Sequence, residues 1–489
     1  MRTELIPSIA IAGCGFGGIA AGIALQRAGI YDFTIYERAA EPGGVWRDNA
    51  YPGASCDVPS RLYSYSFEQG FPWSRRFAPQ AEIQAYLRHC IVKYGLDSHI
   101  RCNAGIEHAE WDAGADAGEG GGAWRLTLSD GSVRSARHLI SATGLFTEPA
   151  IPDVPGSASF EGPQFHTARW DNRVEIAGKN VAVIGTGASA LQIVPAIAET
   201  AARVTVFQRS AQYVMPRADR EYSYDGDALV RHVSRLRERW ATYLELERAA
   251  LRRFSARGTE KGGQAFLKRL SAQVPDEMLR AMLTPDYPLG CKRVLRSDDW
   301  FGALQRDDVH LVAAPVAEIG PDAVVAGDRA FTGIDVLVWA TGFRTLDYLS
   351  TLALPGRDGR TLDDAWAKGA EAYLGLCVAG FPNFFMLYGP NTNLSGSIVH
   401  MLECQANWIA RALRHKRRKG LRTMEVTPEA QLRFNTELQA RLGKTVMTAD
   451  NCASYFQTPS GRIVTQWPGT MTSYALKTRR VRWKDFAVG

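Results

Sequence analysis

Apolar and polar positions near the start of the chain specify a strand, a turn and a helix in succession. Residues 8–37 (SIAIAGCGFGGIAAGIALQRAGIYDFTIYE) run from a short apolar strand through G-x-G into a helix of small apolar residues, then into a second strand. Residues 180–208 (NVAVIGTGASALQIVPAIAETAARVTVFQ) repeat the pattern. This is the βαβ unit that binds dinucleotides, and the chain carries it twice. Two further apolar segments, HLISATG at 138–144 and DVLVWATG at 335–342, come after the two units and end alike. Their small A-T-G residues suit a place where backbone passes close to something, such as a cofactor. Over 224–282 the period becomes helical, with Val233, Leu236, Trp240 and Tyr243 or Leu244 recurring among Arg and Glu. That predicts an all-helical insertion whose aromatic residues serve packing.

Breaks in the pattern divide the chain. The Pro- and Gly-rich stretch 149–156 (PAIPDVPG) reads as a linker, and 112–123 as a loose hairpin tip. The expected fold is α/β, with two Rossmann-like dinucleotide-binding domains. One comprises residues 1–149 and 335–489. The other comprises 150–334, with the helical insertion at about 220–285.

Composition narrows the class. The 489 residues, 46% hydrophobic and 22% charged, make an ordinary globular chain that needs no disulfide or metal to fold. A net charge of +6 is mild at this size. The densest basic run, Arg411–Arg422, suits a helix C-terminus capped by Gly420 better than a nucleic-acid site. Residues 6–26 are uncharged, but their five glycines argue against a membrane span. The eight cysteines form no C-x-x-C pair or zinc knuckle, so reduced structural thiols in a cytoplasmic protein, with no metal, are expected.

The two glycine sets lead into different residues. In the first, Gly13 permits the tight turn, Gly15 lets backbone approach a pyrophosphate, and Gly18 lets the helix pack on its strand. Glu37 ends the next strand, where a carboxylate accepts both hydroxyls of an unphosphorylated ribose, as in FAD or NAD. The second set is Gly185, Gly187 and Ala190, and its next strand ends in Gln208, Arg209 and Ser210. Loss of the carboxylate and gain of a guanidinium favour a 2′-phosphate, hence NADPH. A chain with FAD and NADPH halves moves hydride from nicotinamide to flavin. Without a cysteine pair for disulfide reduction, a dehydrogenase or an oxygenase is left.

Two longer patterns carry a family resemblance. Residues 160–171 (FEGPQFHTARWD) place Phe160, Gly162, His166 and Trp170 as F-x-G-x-x-x-H-x-x-x-W, and residues 43–57 run GGVWRDNAYPGASCD. Together they resemble the type I Baeyer–Villiger monooxygenases, class B flavoproteins. VFQRSAQYVMPR at 206–217, PLGCKR at 288–293 and YGPNTN at 388–393 extend the likeness through most of the chain. The resemblance implies conversion of a small-molecule ketone to an ester or lactone with O2, through a peroxyflavin. It places the catalytic cation at Arg293 with Asp57 as partner, and Lys292 on NADP. It puts Gly44, Val45, Trp46, Asp57, Tyr63, Ile106 and Ile398 at FAD. Ser55, Cys56 and Asp57 fall at NADP, as do Thr186, Gly187, Ala188, Ser189, Ala190, Leu191 and Gln192. His166 and Trp170 would couple domain movement to catalysis. Many members carry Ser-Trp near the C-terminus, where this chain has Ser454 and Tyr455, a phenol that also donates a hydrogen bond. Residues 467–474 would form part of a substrate-side loop. The rival readings are an N- or S-oxygenating flavin monooxygenase and a non-catalytic nucleotide-binding redox protein.

Overall fold

The computed structural model describes every residue except 1–7, 116–120, 225–226, 254, 350–351 and 395. The expected hairpin tip at 112–123 therefore falls partly outside the described residues.

Two five-stranded parallel sheets organise the chain. The first has the order Phe384–Met386, His138–Ser141, Ile9–Ala12, Phe33–Tyr36, Ile100–Arg101. The second has the order Val309–Val312, Arg203–Phe207, Asn180–Ile184, Val336–Trp339, Gln164–His166. The central strand of each is buried apart from half-buried Asn180, so it reads as an apolar run rather than an alternation. Helices Phe16–Arg27 and Ala188–Ile197 come directly after these central strands, as the glycine patterns required.

The strand Val336–Trp339 corrects the expected boundary at 335. It pairs with the central strand of the second sheet, from Val336 opposite Val181 to Trp339 opposite Ile184. It is thus the counterpart of His138–Ser141, which flanks the central strand of the first sheet. The chain returns to the first sheet only after Gly342. Both crossings lie side by side: Ala150 donates its N–H to the Gly342 carbonyl, and Arg344 to the Glu148 carbonyl. The equivalence goes further. A three-stranded antiparallel sheet precedes each of the two A-T-G strands, 106–136 in one half and 316–331 in the other.

The expected helical insertion forms as Ala228–Arg253, Ala256–Gln273 and Glu277–Met282. Its apolar stripe does not pack as expected. Val233, Leu236, Trp240 and Leu244 are exposed, Trp240 at 62%. The first helix docks through its other face by polar contacts instead. Glu238 pairs with Arg61 at 2.5 Å, Arg239 donates to the Arg61 and Ser64 carbonyls, and Glu247 accepts from the Met471 N–H at 2.7 Å.

The basic run ends a helix, Ile398–Lys419, closed by Gly420 in the left-handed region at φ 69°. One of its cations is not solvated. Lys416 is 2% exposed, and its ammonium donates to His138 Nε2, Asn383 Oδ1 and the Arg422 carbonyl, tying this helix to the first sheet. Three acceptors match its three protons. Lys416→Met should therefore lower unfolding stability by about 2–3 kcal/mol, because it strands buried acceptors. Denaturant titration checks this, and a midpoint equal to the parent's would show the network to be dispensable.

Candidate functional site

Both nucleotide-binding units open onto one cavity of about 1710 Å³. A single drug-sized ligand occupies roughly 300–1,000 Å³, so this space suits two large ligands together.

The first glycine of each set is held by backbone on two sides. Gly13 donates its N–H to Tyr36 O at 2.7 Å, and Gly185 to Phe207 O at 3.0 Å. A Cβ on Gly13 would lie 2.7 Å from the Ala142 carbonyl oxygen, and one on Gly185 2.5 Å from that of Ala340. Their φ angles, 98° and 112°, also lie in the region that favours glycine. What the A-T-G alanines approach is thus the glycine turn itself. Gly18 has a helix-packing position, since a Cβ there would sit 2.0 Å from Gly13 O. Ala190 is fully buried in the second half's core. Neither lines the cavity.

Around the first turn, Glu37 is 4% exposed. Its carboxylate accepts from the Cys14 and Ala39 N–H groups and pairs with Arg47 at 2.9 Å. Gly15 faces Gly44, where a Cβ would stand 3.6 Å from Cα. Trp46 Nε1 donates to Tyr63 Oη at 3.1 Å, and burial raises the Tyr63 pKa, so its phenol is neutral. Val45, Ile106 and Ile398 complete this part of the wall. These features fit a flavin dinucleotide: a glycine-lined cradle, a buried carboxylate for a ribose, and an apolar aromatic rim.

Around the second turn, a Cβ on Gly187 would meet nothing within 4 Å, so the turn faces open space. Lys292 Nζ donates to Ser210 Oγ at 2.9 Å and stands 4.3 Å over the Tyr287 ring. Burial, and then the charge of Arg209, pull the Lys292 pKa down. Two cations that disfavour each other's charge suit an anion between them. Gln208 is buried and donates to the Met282 carbonyl, which removes it from the cavity. Thr186, Ala188, Ser189 and Leu191 line the same wall.

Two of the polar contacts between the halves lie at the cavity. Gln192 donates to the Ser55 carbonyl at 2.8 Å and accepts from Tyr51 Oη at 2.9 Å and the Ser55 N–H at 3.3 Å. Arg293 pairs with Asp57 at 2.5 Å, and that carboxylate raises the guanidinium pKa. The Arg293 side chain stays 41% exposed toward the cavity. Cys56 is buried beside this pair. Tyr455 lines the cavity wall.

The fingerprint residues lie away from the cavity. Residues 164–166 form the edge strand of the second sheet. Gly162 is required by packing, because a Cβ would sit 2.3 Å from the Asp335 carbonyl oxygen. Phe160 is buried, and Trp170 packs edge-on to Phe165 at 4.7 Å. His166 is 2% exposed, accepts from the Ala168 N–H, and burial pushes its pKa to about 4. It is neutral near pH 7. Sequence reasoning missed Arg47, Tyr51 and Tyr388, all on the cavity wall. Arg47 and Tyr51 lie inside the G-G-V-W pattern at 43–57, and Tyr388 opens YGPNTN.

Two dinucleotide folds opening on one cavity, with a paired guanidinium where they meet, define a two-cofactor oxidoreductase. A family model described as flavin-binding monooxygenase-like matches residues 7–257. A Streptomyces coelicolor protein named Baeyer-Villiger monooxygenase is 40% identical over 98% of this chain and 92% of its own length. A Pseudomonas aeruginosa protein of the same name is 37% identical over 96% and 89%. The crystal structure of OTEMO with FAD and NADP superposes with a TM-score of 0.88 at 28% identity, covering both chains fully. The chain belongs to the flavin-binding monooxygenases, and within them to the Baeyer–Villiger monooxygenases.

The Gln192 junction yields a test of how the halves are held. Gln192→Leu should remove three hydrogen bonds between them and cost about 1–3 kcal/mol of stability. Urea denaturation measures it; an unchanged midpoint would mean the junction carries no net energy.

Proposed function

We propose that this enzyme converts ketones to esters or lactones, consuming NADPH and O2 with FAD as its cofactor. Residues 1–149, with the segment after Gly342, hold FAD, and residues 150–342 hold NADPH. FAD supplies, when bound, a hydride acceptor for NADPH and the means of activating O2. The remaining work falls to side chains. Glu37 takes the ribose of FAD, while Arg209 and Lys292 take the 2′-phosphate of NADPH. Arg293 stabilises the negative charge that develops as oxygen is transferred to the ketone carbonyl, and Asp57 orients it. His166, buried and neutral, belongs to the second sheet's edge and couples movement of the halves to the reaction.

The observation that carries this reading is the Asp57–Arg293 pair at the meeting of the two halves, with the guanidinium still open to the cavity. The guanidinium keeps donors facing the space between the cofactor sites. Among the described residues no helix is long and apolar enough to cross a membrane. The reading places the enzyme in the cytoplasm, acting on a small molecule and on neither nucleic acid nor membrane.

Two substitutions test it. Arg209→Ala should raise the KM for NADPH about tenfold or more while barely changing that for NADH, the effect of losing one charged hydrogen bond. Steady-state kinetics with both nucleotides decide, and a parent that uses the two equally well would remove the basis for the assignment. Arg293→Ala should keep FAD and still be reduced by NADPH, yet lose about 10²–10³ in ester formation and release hydrogen peroxide instead. Arg293→Lys should rescue little, because an ammonium lacks the planar fork that pairs with Asp57 while facing the cavity. Ester formed per NADPH oxidised is the measurement. An Ala variant as well coupled as the parent would reduce Arg293 to a structural role.

A further inference from the structure

The expectation of eight reduced cysteines is overturned at one pair: Cys291 and Cys452, 161 residues apart, are disulfide-bonded. Spacing gave no sign of it, because the partners meet only once the second half's core is assembled. Both lie in that core, at 0% and 5% exposure. The other six cysteines are free thiols.

The bond joins two walls of the cavity next to the chemistry. Cys291 directly precedes Lys292, on Ser210, and Arg293, on Asp57. Cys452 lies just ahead of Ser454 and Tyr455, which also line the cavity. A hydrogen bond from Asn451 Nδ2 to the Asp286 carbonyl, at 3.2 Å, runs alongside. The Cys452 carbonyl accepts from Gln457, and the Tyr455 carbonyl accepts from Thr345 at 3.4 Å. Arg293 and Tyr455 both line the cavity. Each wall is thus anchored locally, and the disulfide sets one against the other.

We propose that the Cys291–Cys452 disulfide is a positioning crosslink for the oxygenation site, and that reducing it turns the enzyme from ester formation toward wasteful oxidation of NADPH. This rests on the functional reading above. A dithiol reductant donates two electrons and two protons, leaving two cysteine thiols and its own disulfide. Hydrogen peroxide restores the bond by accepting those two electrons and two protons, giving two waters. The uncoupled reaction releases that same peroxide, so the opened enzyme makes the reagent that closes it. The crosslink bears on geometry alone: it fixes where Arg293 and Tyr455 stand, and misplacement near 1 Å costs about 100-fold in a reacting site.

The test uses holoenzyme purified aerobically. Alkylation under denaturing conditions, read by mass spectrometry, should modify six cysteines without reductant and eight after dithiothreitol. The Cys291→Ser/Cys452→Ser double variant, and the parent after dithiothreitol, should bind FAD and be reduced by NADPH within about twofold of the untreated parent. Their ester per NADPH should fall about tenfold or more, with peroxide rising to match. Dithiothreitol should not change the double variant further, and hydrogen peroxide should restore the reduced parent. A purely structural crosslink would lower the denaturation midpoint and leave coupling intact, which overturns the proposal. So does alkylation of all eight cysteines without reductant. A parent that makes no ester from any ketone overturns the functional reading and the proposal with it, while the thiol count still reports whether the bond exists.

Discussion

Everything at the site hangs on two places where a glycine lies against a carbonyl. Gly13 on Ala142 and Gly185 on Ala340 leave no volume for even one carbon, and each glycine is also hydrogen-bonded to the neighbouring strand. The contacts lock the ends of three parallel strands together in each half. The helix after each turn then starts at a fixed point, with its free N–H groups facing the cavity. Gly18 adds a second such contact beneath the first turn. Larger side chains at these points would separate strand from strand before they disturbed any ligand.

On that rigid base the electrostatics divide the labour. At the cavity the first half offers the buried carboxylate of Glu37, whose remaining capacity is shaped by two N–H groups and Arg47. The second half offers cations, Arg209 and Lys292, and the charge of Arg209 helps pull the Lys292 pKa down. Arg293 belongs by sequence to the second half and by its partner, Asp57, to the first. Its ion pair therefore exists only where the halves meet.

Local patterns made much of this legible. A strand, a G-x-G turn and a helix lie within about thirty residues, with Glu37 and Arg209 at fixed offsets beyond them, so both units could be read directly. Gly420 after a basic run marked a helix end for the same reason. What escaped depends on residues far apart. The strand 336–339 reads as a buried strand from its composition, but only its pairing with Val181–Ile184 assigns it to the second sheet. The stripe Val233–Leu236–Trp240–Leu244 has the period of a packed face, yet Arg61, Met471 and other distant groups bind the helix by its polar side. Cys291 and Cys452 are the extreme case, with 161 residues between them. The A-T-G segments were recognisable but their neighbour was not: the close approach is to a glycine of the chain itself.

The paired crossings have a mechanical meaning. Residues 148–150 and 342–344 form a two-stranded ribbon, cross-linked by backbone hydrogen bonds, that carries the chain both ways between the halves. A single tether would act as a swivel. Two laced side by side hold each other through their backbone hydrogen bonds and resist such twisting. The two passages of the chain are thereby registered against each other, and neither can slide without breaking a backbone hydrogen bond.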